Sequence, residues 1–176
     1  MVDNREVICS YYPYFTTYFF LLCKIFPIFS AQEMNKIEIF FKQCLDKDTG
    51  FIKKFSPAYT LFSIDGKSCI SIDTKRKTFL LIQRENDNIH DSRNLVKIYK
   101  FSQLLYVDLK QERGALDMLN LQIVLSLDDM DMPIFEISLF YAQLDDYSES
   151  LYNIQWDTAQ EWLHRLNIVA HYTDDK

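Results

Sequence analysis

The stretch that decides the fold class is SCISIDTKRKTFLLIQRENDNIHDSRNLVKIYKFSQLLYVDLK, which runs from Ser68 to Lys110. Its first six residues place Ile70 and Ile72 on one face of a strand, a basic turn follows, and a second strand starts at Thr78. Apolar residues at every second position, separated by turn residues, are typical of antiparallel strands. The continuous apolar run after the basic turn predicts a strand that is covered on both faces.

The same pattern continues on both sides of this stretch. The predicted strands span residues 58–64, 68–73, 78–84, 95–99, 105–109, 119–127 and 134–141. A bulge or a single turn is expected at Phe101, between the fourth and fifth strands, and a further turn at 111–114. The residues expected to face the core in the last three strands are Leu105, Val107, Leu109, Leu119, Leu121, Ile123, Leu125, Leu127, Phe135, Ile137, Leu139 and Tyr141.

Two amphipathic helices flank the strands. The first is predicted at 35–45 with Asn35 as its N-cap, and the second at 156–170 with Asp157 as its N-cap. Their apolar stripes are Ile37, Phe40, Phe41, Cys44 and Leu45 in the first, and Ala159, Trp162, Leu163, Leu166 and Val169 in the second. These elements predict an α+β fold. We expect a strongly bent antiparallel sheet or partial barrel of six to seven strands, capped by the C-terminal helix and preceded by N-terminal helices.

The segment before residue 34 is rich in aromatic side chains and almost free of charge. Between residues 11 and 29 the only charged residue is Lys24, and a bilayer span needs about 20 mainly apolar residues. Three interpretations stay open: a helix packed on the domain, a membrane or signal segment, and an extension upstream of a start at Met34. The chain is therefore divided into this segment (1–33), an amphipathic helix with a linker (34–54) and the main domain (55–176).

The distribution of charge restricts the partners. The net charge is −6, yet residues 1–107 carry 15 basic and 11 acidic residues, whereas residues 108–176 carry 4 and 14. The acidic half argues against nucleic-acid binding, which needs a basic face. None of the 4 cysteines forms a CxxC pair, so we expect buried, reduced thiols in a cytoplasmic protein. Any membrane association is expected through residues 11–29.

Few residues suggest chemistry. His90 has Asp87 and Asp91 nearby, but a solvated loop is favoured because no second pair of ligands has metal-binding spacing. The acidic run at 128–131 lacks the glycine and glutamate of a calcium loop, which favours an acidic hairpin tip. No nucleophile has a recognisable base beside it, and no glycine-rich loop is present. We predict no catalytic residue, metal or cofactor, and an enzyme without a recognisable motif is an alternative.

Four short features carry a resemblance. They are Ile72-Asp73 at a strand end, the break at Phe101, the strand from Leu105 to Asp108, and the late strand that begins at Pro133-Ile134. Over residues 55–169 these features resemble a group of small, uncharacterised bacterial proteins with a pleckstrin-homology-like fold. The resemblance implies a bent sheet closed by a helix, in a non-enzymatic module that binds a protein partner or an anionic membrane surface. Several of those proteins carry an N-terminal zinc ribbon, which this chain lacks.

The basic turn Lys75-Arg76-Lys77 is the strongest candidate for a binding site. In folds of this class, inter-strand loops often bind anionic headgroups or acidic peptides. Each lysine near an anionic leaflet contributes roughly 1 kcal/mol. Three further cations are predicted to join the turn in space: Lys53, Lys54 and Lys67. The alternative interpretation is a turn that is basic for solubility alone, and the oligomeric state and the ligand stay open.

Overall fold

Seven strands and two long helices make up the described part of the chain in a computed structural model. The structure describes residues 31–46, 50, 52–88, 90–114, 118–143 and 149–172. The elements are α1 (Ala31–Leu45), β1 (Tyr59–Phe62), β2 (Ser68–Asp73), β3 (Thr78–Gln83), β4 (Leu95–Lys100), β5 (Leu104–Gly114), β6 (Met118–Leu127), β7 (Ile134–Gln143) and α2 (Glu149–Ala170). The predicted α+β class is confirmed.

Strand pairing separates the strands into two antiparallel sheets. β1 to β4 pair in that order to form a four-stranded sheet, and β5 to β7 form a three-stranded sheet. The expected single bent sheet or partial barrel is therefore corrected: among the described residues no strand ladder joins the two sheets. A backbone hydrogen bond of 2.9 Å from Ile64 N to Ser138 O links the β1–β2 turn to β7. A single 3-10 turn, Phe101–Gln103, carries the chain from one sheet to the other.

The main core lies between the inner faces of the two sheets and α2. The central strand β6 contributes the apolar row that the sequence predicted, since Leu121, Ile123 and Leu125 are completely buried. The inner face of the four-stranded sheet supplies Ile70 and Phe79, among others, to the same cluster. Burial of this apolar surface is the main contribution that favours folding.

A second cluster lies on the other face of the four-stranded sheet, under α1. Buried residues of α1 pack there against Cys69, Leu80 and Ile82. β2 and the centre of β3 are consequently buried on both faces, as the unbroken apolar run predicted. The predicted helix stripe is also buried, except for Leu45, which is half-buried. Asn35 lies within the helix and is not its N-cap.

The C-terminal helix is longer than predicted. α2 begins at Glu149, so Asp157 lies in its third turn and is not its N-cap. Leu151 and Gln155 are buried and extend the buried face of the helix towards the N-terminus. The predicted stripe itself is buried except for Leu163, which is half-buried. The helix packs mainly on β5 and on the 3-10 turn.

Two irregularities in strand pairing overturn individual side-chain predictions. In β5 the register moves from Leu104 opposite Leu127 to Tyr106 opposite Ser126, so Leu105 is an extra residue. Leu105 was predicted to face the core, but it is 60% exposed, because a bulge shifts the alternation by one residue.

A second register shift, in the pairing of β6 with β7, has a similar effect. Phe140 is buried there, whereas Tyr141, which was predicted to face the core, is 44% exposed. β5 also continues through residues 111–114, where a turn was expected, because these residues pair with the start of β6. The predicted turn at 111–114 was therefore wrong.

The interpretations of the aromatic N-terminal segment fall on residues 1–30, which lie outside the described residues. Within the described part of the chain, neither long helix combines the length and the apolar character that a membrane crossing requires.

Candidate functional site

A buried carboxylate, Asp73, holds the basic turn between β2 and β3. Its Oδ1 accepts hydrogen bonds from the backbone N–H groups of Lys75 and Arg76, both at 3.1 Å. Its Oδ2 accepts from Arg76 Nη1 at 3.0 Å and from the backbone N–H of Ser56 at 2.7 Å. Asp73 is fully buried, so these donors replace the water that an ionised carboxylate would otherwise bind. One side chain thus fixes both the turn and the linker before β1.

The ionisation of Asp73 follows from these contacts. Burial alone would raise the pKa of the carboxyl group, but the hydrogen bonds from Ser56 and then Arg76 outweigh burial. The pKa of Asp73 is therefore below its usual value. The carboxylate is charged at neutral pH and accepts hydrogen bonds with both oxygens.

Lys77 connects the same turn to two other elements. Its backbone adopts a φ of 55°, and its carbonyl oxygen accepts a hydrogen bond of 3.0 Å from Phe101 N. Its Nζ lies 4.4 Å from the centre of the Tyr172 ring, within the range of a cation–π contact. Tyr172 follows the end of α2, where the helix dipole also favours a positive charge. The turn, the 3-10 turn and the end of α2 therefore meet at one place.

The structure brings together most of the predicted cations, but not all. Lys75, Arg76 and Lys77 are exposed at one end of the four-stranded sheet. Lys54 is exposed and two residues from Ser56, which bonds Asp73, so its Cα lies within about 7 Å of Ser56. Lys53 is exposed beside it in the linker.

Lys67 belongs elsewhere. It precedes Ser68 at the opposite end of β2, and the six residues of that strand separate it from the turn by roughly 20 Å. The prediction that Lys67 lies beside the basic turn is therefore wrong. Lys67 precedes β2 and the basic turn follows it, so the length of the strand separates them.

One cation at this end was missed. Lys100, the last residue of β4, lies opposite Thr78, the residue that follows the basic turn, and it is exposed. The pairing register of β3 with β4 places Lys100 beside the turn. The sequence alone contains no direct signal for that register. We call the group Lys54, Lys75, Arg76, Lys77 and Lys100 the basic end.

The loop around His90 has no metal-site geometry. Asp87 forms a close ion pair with Arg84. Asp91 accepts hydrogen bonds from Arg93 Nε at 3.0 Å and Arg93 Nη2 at 2.9 Å. Both carboxylates beside His90 are thus engaged by arginines.

In the acidic loop between β6 and β7, one carboxylate is bound by side chains of β4. Asp129 Oδ2 accepts hydrogen bonds from Lys97 Nζ at 2.5 Å and from the Tyr99 hydroxyl group at 2.7 Å. These hydrogen bonds, the one from Lys97 first, lower the pKa of Asp129 to about 2. Asp128 and Asp131 are exposed. Asp129 therefore acts as a structural contact between the sheets.

The two described cysteines are buried, free thiols. Burial raises the pKa of Cys44 to about 12 and that of Cys69 well above its usual value, so both remain thiols at neutral pH and are poor nucleophiles. Within the described ranges no three His, Cys, Asp or Glu side chains lie close enough to hold a metal ion.

Comparison with known proteins finds no matching family model, no matching curated protein and no matching solved structure. Any function must therefore be argued from the chemistry of the described residues.

Proposed function

We propose that this chain is a non-enzymatic binding module with a pleckstrin-homology-like arrangement, and that its basic end binds an anionic membrane surface. The arrangement is supported by the order of the elements. Four antiparallel strands precede three others, and a C-terminal helix packs over the second sheet at the 3-10 turn. The resemblance implies one bent sheet closed by a helix, and two sheets joined at the 3-10 turn with a helix over the junction support a related arrangement.

The observation that carries the proposed ligand is the register of Thr78 opposite Lys100. It adds the end of a neighbouring strand to the exposed turn, so cations from three separate chain segments lie at one end of the sheet. An anionic leaflet attracts such a group with roughly 1 kcal/mol per lysine. Of these cations Arg76 also pairs with buried Asp73, so we assign the membrane contact chiefly to the lysines.

Tyr172 supports the same orientation. It lies under Lys77 Nζ at this end, and a ring with a polar tip is suited to the boundary between headgroups and acyl chains. The ring also packs edge-to-face on Phe101, with 5.7 Å between ring centres, which fixes the end of α2 beside the basic turn. A rigid, basic and aromatic surface is a suitable contact for lipid headgroups.

The test is cosedimentation of the full chain with vesicles. Phosphatidylcholine vesicles with about 30% phosphatidylserine should bind the protein, and Lys75→Ala should weaken that binding about fivefold, the effect of roughly 1 kcal/mol. Lys67→Ala is the matched control, since it removes the same charge at the far end of β2 and should leave binding unchanged. Raising the salt concentration should also weaken binding.

Two results would contradict the proposal. One is that Lys75→Ala and Lys67→Ala weaken vesicle binding equally, which would show that binding depends on the net charge of the protein and not on the basic end. The other is equal binding to neutral phosphatidylcholine vesicles that neither variant alters. That second result would favour the alternative of a membrane-anchored accessory protein that uses residues 11–29.

A further inference from the structure

The outer face of the three-stranded sheet carries apolar side chains that no described element covers. Leu105, Tyr106 and Ile134 are 60%, 59% and 57% exposed. Tyr106 lies opposite Ser126, and Ser126 lies opposite Ile134. Tyr106 and Ile134 therefore lie in one row across the sheet, and Leu105 is next to Tyr106 in the chain. Directly opposed residues of antiparallel strands project from the same face. We call Leu105, Tyr106 and Ile134 the apolar row.

The β5 bulge is what makes this row. Without the extra residue, strict alternation would place Leu105 and Tyr106 on opposite faces. With it, Leu104 is buried and both following side chains are exposed. Tyr106 and Ile134 are residue types that strands favour even in water. That preference does not explain Leu105, or Met130, which is 100% exposed in the loop that adjoins the row.

Acidic residues surround the apolar row. Asp108 and Glu136 flank Val124 in the next row of the same face. Asp128 and Asp131 are exposed in the β6–β7 loop. Lys110 on the same face pairs with Glu136 at 3.8 Å, which leaves Asp108, Asp128 and Asp131 as an excess of negative charge at the margin.

We infer that this face docks a segment of a partner protein with apolar side chains at its centre and lysine or arginine at its margins. Charge decides between the possible occupants. A second copy of this face would bring like charges together at the margin, and an anionic membrane would meet the same acids. Residues 11–29 of this chain carry a single cation, Lys24, and so do not complement the margin.

The proposed partner segment is positively charged at its margins, whereas the proposed ligand of the basic end is negatively charged. The proposed membrane contact uses cations of the four-stranded sheet and its turn, whereas this face presents apolar groups within acids on the three-stranded sheet. The two surfaces are tested separately, since variants of the apolar row leave Lys75 and its neighbours unchanged.

The experiment uses the full chain, labelled with nitrogen-15, and two short synthetic peptides. Leucine alternates with lysine in one peptide and with glutamate in the other. The lysine peptide should bind and shift the amide resonances of β5, β6 and β7 at the apolar row, more weakly as salt is raised. The double substitution Tyr106→Ser and Ile134→Ser should weaken binding about tenfold or more. Asp108→Asn should weaken it to a smaller extent.

A matched control keeps the result specific. Ile39→Ser and Ile168→Ser remove two equally exposed apolar side chains, at 53% and 59% exposure, on α1 and α2, and should leave Kd for the lysine peptide unchanged. The inference is overturned if the lysine peptide fails to bind, if the glutamate peptide binds equally well, or if the control variant weakens binding as much. Concentration-dependent dimerisation in sedimentation velocity that Tyr106→Ser abolishes would also overturn it, because the occupant would then be a second copy.

Discussion

The carboxylate of Asp129, in the loop between two strands of the three-stranded sheet, accepts a hydrogen bond of 2.7 Å from the hydroxyl group of Tyr99 in the four-stranded sheet. Tyr99 lies on β4, and Asp129 follows the end of β6. The Tyr99 ring stacks on Phe79 with 5.3 Å between centres, so its hydroxyl group is held in a fixed direction. Burial and then the hydrogen bond to Asp129 raise the pKa of Tyr99 well above its usual value. The contact therefore joins the two sheets with a neutral phenol and an ionised carboxylate.

Removal of this contact should destabilise the protein. Tyr99→Phe keeps the ring and its stacking but removes one of the two hydrogen bonds to Asp129 Oδ2 and leaves the one from Lys97. We expect a loss of about 1 kcal/mol in the free energy of unfolding. Urea denaturation measures this loss. In a double-mutant cycle with Asp129→Asn the two effects should be less than additive, and full additivity would show that the two side chains do not interact.

Stability should depend on acid pH through Asp73. Its pKa is lowered in the folded state, so its contribution is present above about pH 4, the usual value for an unfolded aspartate, and is lost as pH falls through the lower folded value. Asp73→Asn should lower the unfolding free energy by at least about 2 kcal/mol at pH 7, because an amide replaces a carboxylate that accepts from several donors. The difference between the two proteins should shrink below about pH 4. A difference that stays constant between pH 7 and pH 3 would refute this account.

Core packing gives a sharp comparison between two isoleucines. Ile123 is completely buried at the centre of β6, and Ile134 is 57% exposed at the start of β7. Ile123→Ala should lower the unfolding free energy by about 2–5 kcal/mol because it leaves a cavity. Ile134→Ala should change it by less than about 1 kcal/mol. Similar losses in the two variants, measured by chemical denaturation, would show that the register of β6 is wrong.

The C-terminal helix offers a second pair of this kind. Leu166 is fully buried against the sheets, whereas Ile168, two residues later, is 59% exposed. Leu166→Ala should destabilise by about 2–5 kcal/mol, and Ile168→Ala should have little effect. Deletion from residue 156 onward should leave an aggregation-prone chain, because the inner faces of both sheets would meet water. A soluble monomer with well-dispersed amide resonances after that deletion would argue against the role of α2.

Removal of residues 1–30 should leave the fold intact. The described core begins at Ile37 on α1, so a chain of residues 31–176 retains every buried contact described above. We expect its thermal midpoint to lie close to that of the full chain and its solubility to be higher. A midpoint lower by more than about 8 °C, on the order of 2 kcal/mol or more, would show that the aromatic segment is part of the core.

Much of the fold could be predicted because burial imposes a period on the sequence. β2 was predicted with its observed boundaries, and the alternation in β6 identified its buried face. The prediction for Leu105 was wrong because Leu105 is the extra residue of a bulge, and the prediction for Tyr141 was wrong because it follows a change of strand register. The early start of α2 was missed because a polar residue, Gln155, occupies the buried position between Leu151 and Ala159.

The candidate site was less predictable than the fold. The turn at Lys75–Lys77 could be found from its charge and its place between two strands. The position of Lys67 and the contribution of Lys100 depend on which strand ends meet, and the role of Asp73 depends on a linker that approaches it from 17 residues earlier.

The sequence by itself determined the α+β class, the strands that form the core, the apolar stripes of both helices and the basic turn. These features are local, because period and turn chemistry act between residues that are near one another in the chain. Only the tertiary structure decided that the strands form two sheets, and that a hydrogen bond between Tyr99 and Asp129 links those sheets. It also decided that Leu105, Tyr106 and Ile134 form one row. Those features depend on register and on bulges, and these are chosen by the total burial of the folded chain, to which distant residues contribute together.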